Sequence, residues 1–93
     1  MELSPSNESQ NISLNKFESM LKTNNVFFFD SNEFENIIHH YLEIGKIALA
    51  KKAINLGLDQ HPSSVNLRLF KAEILIFEND FNAAERLLNS LFE

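Results

Sequence analysis

The chain repeats itself. Displaced by 34 positions, Asn32 falls on Asn66, Ala50 on Ala84 and Asn55 on Asn89. Conservative pairs accompany these identities: Ile38 with Ala72, Tyr41 with Leu75, Leu42 with Ile76, Ile47 with Phe81, Ile54 with Leu88, and Leu58 with Phe92. Gly45 falls on Asn79, and both residue types accept the left-handed backbone of a tight helix exit. A fixed period of this size marks a duplicated supersecondary unit, and one such unit cannot bury its own apolar face. The copies must therefore stack on each other.

Within each unit the apolar residues recur at helical spacing. Leu14, Phe17, Met20 and Leu21 share one face of a first helix, expected to start at Ser13 as N-cap and to stop at Asn24–Asn25. Asp30 with Glu33 reads as a capping box before a second helix carrying Phe34, Ile37, Ile38, Tyr41 and Leu42, broken by Gly45. A third helix carries Ile47, Ala50, Ile54 and Leu58. It stops at His61–Pro62, because the residue before proline is pushed out of helical backbone. Ser63 or Ser64 caps a fourth helix with Leu67, Phe70, Ala72, Ile74, Leu75 and Ile76. Asn79–Asp80 turns into a fifth, carrying Phe81, Ala84, Leu87, Leu88, Leu91 and Phe92.

The run Val26–Phe27–Phe28–Phe29 has no partner strand elsewhere, so it reads as a connector whose rings plug the gap between helices; the alternative reading is a hydrophobic contact site for a partner. Residues 1–12 are polar and are expected to form a disordered tail. The resulting plan is an all-α protein. The tail is followed by a helix and aromatic connector over 13–30, a first repeat over 31–64 and a second, incomplete at its end, over 65–93.

The first repeat resembles the tetratricopeptide (TPR) family. Phe34, Ile37, Ile38 and Tyr41 stand where that family has a large apolar residue, Leu, a small residue and Tyr. Gly45, Ala50, Gly57 and Pro62 match further positions of the pattern, while Ile54 replaces an aromatic. In the second repeat Ala72, Leu75, Ala84 and Leu88 match, and Asn79–Asp80–Phe81 resembles the family's turn. Arg68 and Lys71 depart from it, replacing a large apolar residue and a Leu; Leu67 or Leu69 is the substitute for the first. The resemblance spans 31–93 and points to the N-terminal part of a bacterial member.

The resemblance implies an α-α superhelix of two repeats behind one extra helix. Small Ala50, Gly57, Ala72 and Ala84 would sit where helices cross at about 8–10 Å. It also implies a scaffold that binds a peptide or protein and performs no catalysis. In the family the first helix of each repeat lines a concave groove. The corresponding residues here are Asn32, Glu35, His39 and Leu42 in the first repeat, and Asn66, Leu69, Glu73 and Phe77 in the second. Family members that hold a C-terminal carboxylate use Lys and Asn where this chain has Glu35 and His39. The expected occupant is instead a neutral, apolar or basic segment.

Charge and motifs narrow the alternatives. There are 8 Lys and Arg against 13 Asp and Glu, a net charge of −5, with no basic cluster to bind nucleic acid. The chain has no Cys, hence neither thiolate ligand nor thiol nucleophile. His39 and His40 are adjacent, so on a helix they point about 100° apart and cannot share a metal as residues at i and i+4 do. No phosphate loop, zinc motif or nucleophile elbow occurs. The expectation is no enzyme, no cofactor and no metal. A leader peptide and a membrane span are both missing from the pattern, which suggests a cytoplasmic protein.

The same apolar content offers a second use. Phe81, Leu87, Leu88, Leu91 and Phe92 are too many for one neighbouring helix to cover. Either further repeats follow, or the last helix docks onto a second copy to form an oligomer.

Overall fold

A computed structural model describes residues 5–23 and 25–92, with side chains from Ile12 onward. Among the described residues there are five α-helices and no strand. They are α1 (Pro5–Lys22), α2 (Ser31–Glu43), α3 (Ile47–Gln60), α4 (Val65–Phe77) and α5 (Phe81–Ser90). Each packs against the next in sequence, and α2 also reaches α4.

Local chemistry fixes the helix ends. The Asp30 carboxylate accepts from the Glu33 amide at 2.7 Å, and the Glu33 carboxylate accepts from the Asp30 amide at 3.0 Å, a complete capping box. Ser64 rather than Ser63 caps α4, accepting from the Leu67 amide at 3.2 Å. Asp80 caps α5 through the Ala83 amide at 3.3 Å. The exits of α2 and α4 are copies of each other. Gly45 has φ 75° and Asn79 has φ 64°. The Lys46 amide donates to the Tyr41 carbonyl at 2.8 Å, and the Asp80 amide donates to the Leu75 carbonyl, also at 2.8 Å. These pairs are themselves displaced by the repeat period, so the duplication reaches the level of single hydrogen bonds.

Phe17, Phe34, Ile37, Ile38, Tyr41, Ile54 and Leu67 form the fully buried centre. Ala50, Ala72 and Ala84 are buried with them. At buried Gly57 the packing leaves little room for a side chain. A Cβ there would lie 3.1 Å from the Leu67 side chain on α4 and 3.1 Å from the Phe34 ring on α2. Tyr41 is buried, and its hydroxyl donates to the Glu18 carboxylate of α1 at 3.0 Å. Burial foremost, then that hydrogen bond, pushes the phenol's pKa well above its ordinary value.

Three sequence expectations change. The first helix does not begin at Ser13. It is already helical at Pro5, so the tail expected over 1–12 is corrected over 5–12, while residues 1–4 lie outside the described residues. Proline suits a first helical position because its φ is preset and its missing N–H has no helical partner to lose. Ser13 is instead an interior helical residue, buried, and its hydroxyl donates to Glu33 at 2.7 Å.

Second, only alternate rings of the connector plug the core. Phe29 is buried and Phe27 half-buried, whereas Phe28 is 77% exposed and Val26 also faces outward. Extended backbone sends successive side chains to opposite faces. The inward face is secured by Gln60 at the end of α3. Its side-chain Oε1 accepts from the Phe29 amide at 3.1 Å, and its side-chain Nε2 donates to the Phe27 carbonyl at 2.8 Å. His61 Nε2 donates to the Phe29 carbonyl at 2.6 Å. Third, Leu91 and Phe92 lie in the turn beyond α5 rather than within it.

Leu67, not Leu69, takes the buried place that Arg68 vacates. The Arg68 guanidinium turns away and its Nε donates to the Pro62 carbonyl at 3.0 Å.

Candidate functional site

The contact of α2 with α4 brings the two repeats' first helices side by side. Glu35 and Asn66 meet there, the Asn66 amide donating to a Glu35 carboxylate oxygen at 3.1 Å. Leu69 and Phe70 make an apolar floor, and exposed Glu73 closes the far side of an open depression of about 310 Å³. Two carboxylates and one amide thus surround two apolar side chains, and no Lys or Arg lines the depression. Such a surface suits a segment offering aliphatic contact together with positive charge.

Glu35, Asn66, Leu69 and Glu73 are therefore brought together, and the other four groove candidates are not. Asn32 belongs to a separate recess with Ser13, Asp30 and Asn36. His39 is exposed and its Nδ1 lies 3.2 Å from Glu43, one helical turn away. Leu42 is half-buried against the core. Phe77 is exposed at the end of α4, outside the depression. Sequence reasoning did not place Phe70 in the groove; it is half-buried, packing against the core while also lining the depression. The signal was available: Phe70 lies four residues after Asn66 and three before Glu73, the spacing of one helical face.

The α5 side presents a different surface. Leu87, Leu88 and Leu91 are half-buried, and Phe81 and Phe92 are exposed, Phe92 by 86%. Their partners by the repeat period are informative. Ala53, Ile54 and Gly57 of α3 correspond to Leu87, Leu88 and Leu91, and all three are buried. These buried α3 positions thus have counterparts in and just beyond α5 that stay partly open.

Among the described residues, no group of three or more His, Asp or Glu side chains could hold a metal ion. No helix of those residues is long and apolar enough to cross a membrane. The chain matches no protein-family model, no curated protein and no solved structure.

Proposed function

We propose that this chain is a protein-interaction module of the tetratricopeptide type, acting in the cytoplasm without catalysis, which takes a basic, partly apolar peptide segment across α2 and α4. The carrying observation is the depression in which Glu35 and Glu73 flank the Leu69–Phe70 floor. The repeat reading is supported by the two matching turns and by buried small residues at Ala50, Gly57, Ala72 and Ala84. A superhelical stack of two such repeats is the arrangement this reading requires.

Fluorescence anisotropy with a labelled peptide of alternating Leu and Lys tests it. The double variant Glu35→Lys, Glu73→Lys is expected to weaken that peptide at least about tenfold, worth about 1.4 kcal/mol. Asn32→Ala, outside the depression, should leave affinity unchanged. Equal affinity of the wild type for the corresponding Leu–Glu peptide would sink the reading.

A second reading, assembly with another copy through α5, is favoured by the half-open positions of Leu87, Leu88 and Leu91. Each of these leucines is already half-buried, so full burial by a partner adds only about half of the roughly 1.5–3 kcal/mol of a fully exposed Leu, before association costs. Sedimentation at high concentration should then show a species heavier than the monomer, and Leu88→Glu should abolish it. A monomer throughout rules the assembly out.

A further inference from the structure

A second cavity, sharing no residue with the depression, opens between α3 and α4. Ile54, Ile74 and Leu75 form its apolar walls, and its volume is about 160 Å³. Its rim carries Lys51, Lys71, Asn55 and the carboxylate of Glu78. Lys51 is paired with Glu78 at 2.6 Å, so its charge is balanced. The Lys71 ammonium donates to the neutral Asn55 side chain at 3.1 Å, so its charge is not. A net positive rim over apolar walls runs against the −5 charge of the whole chain.

The repeat shows why the space is open. Lys71 corresponds to Ile37, which is fully buried, and Leu75 corresponds to Tyr41. Helix α1 precedes and packs on α2 as α3 precedes and packs on α4. Beside Tyr41, α1 inserts the buried Phe17 ring at 6.0 Å between centroids. Beside Leu75, α3 offers no aromatic, only Lys51, Ile54 and Asn55. By the repeat period Lys51, on the rim of the cavity, corresponds to Phe17.

We infer that this crevice binds a small carboxylate with a single-ring or branched apolar body. The body packs against Ile54, Ile74 and Leu75, and the carboxylate accepts from Lys71 Nζ. An apolar cavity of about 150 Å³ accommodates benzene, whereas drug-sized ligands need about 300 Å³ or more, so one ring is the limit. The same chemistry is carried by a free aromatic acid and by the C-terminal Phe or Leu of a peptide.

The test is a titration of the labelled protein, followed by amide chemical shifts. The probes are benzoate, benzyl alcohol, and acetyl-Gly-Phe with either an acid or an amide end. Benzoate is expected to shift the amides of Ile54, Asn55, Lys71, Ile74 and Leu75 with Kd about 1–10 mM. Benzyl alcohol should bind at least about tenfold more weakly. Lys71→Met keeps the aliphatic stem and should erase the preference for the acid. Leu75→Phe fills the space and should abolish all probe binding. A dipeptide acid that outbinds both its amide and benzoate identifies a peptide C-terminus as the source; benzoate alone identifies a free acid. Benzoate shifts that are absent, scattered over other lysines, or unchanged by Lys71→Met overturn the inference.

Discussion

Phe34→Ala is expected to remove about 3–5 kcal/mol of stability, the usual cost of emptying a fully buried aromatic site. Phe34 sits where three parts of the molecule meet. Its ring lies 5.3 Å from the Phe29 ring of the connector and 5.9 Å from the His61 ring beyond α3, and its edge touches the Gly57 position. Truncation opens a hole that none of these neighbours can close without leaving another. A domain of this length has only about 5–14 kcal/mol in total, at about 0.05–0.15 kcal/mol per residue. The variant should therefore unfold at a much lower urea concentration. Phe34→Leu, which keeps most of the volume, should lose on the order of 1–2 kcal/mol. An Ala variant no weaker than a substitution at exposed Asn82 would mean that Phe34 is not the junction described.

Gly57→Leu is the second large effect, and it works by overfilling. A Leu in a helix interior gains about 0.8 kcal/mol over Gly in intrinsic propensity. Against that, its first side-chain carbon alone would press on Leu67 and Phe34 at 3.1 Å, and three more carbons must follow. Neither neighbour has room, because both are fully buried. Overpacking of this kind costs about 1–3 kcal/mol or more, so destabilisation wins. Gly57→Ala should stay within about 1 kcal/mol of the wild type, as propensity and crowding offset each other. Hydrogen exchange separates the two mechanisms proposed for these sites. Gly57→Leu presses on Leu67 of α4 as well as on Phe34 of α2, so it should speed exchange in α4 and α5, whereas Phe34→Ala should loosen the connector.

The parts of the fold that were legible rest on local chemistry. Asp30 and Glu33 cap within three residues, Gly45 and Asn79 supply the left-handed turn residue, and His61–Pro62 cannot continue a helix. The burial of Ala50 and Ala84 was legible because the period puts one on the other. What escaped depends on distant partners. Nothing near Gln60 announces that its amide will pair with the connector's backbone. No apolar periodicity marks the first turns of α1. Groove positions transferred from a family pattern held together only where α2 and α4 approach. Leu42 was drawn to the core instead, because an apolar side chain at its edge gains by burial, and His39 remained at the surface beside Glu43.

The grip of Gln60 and His61 on the connector also sets an order of events. Those side chains act across 31 to 33 positions of sequence. During synthesis α1 leaves the ribosome before α3, yet the clamp on its connector is not made until α3 is complete. Helix α1 thus waits for a later helix, with Phe17 and Phe29 lacking their final cover. A nascent chain halted before Gln60 would carry those rings unprotected, which makes this interval the time at which a chaperone has most to hold.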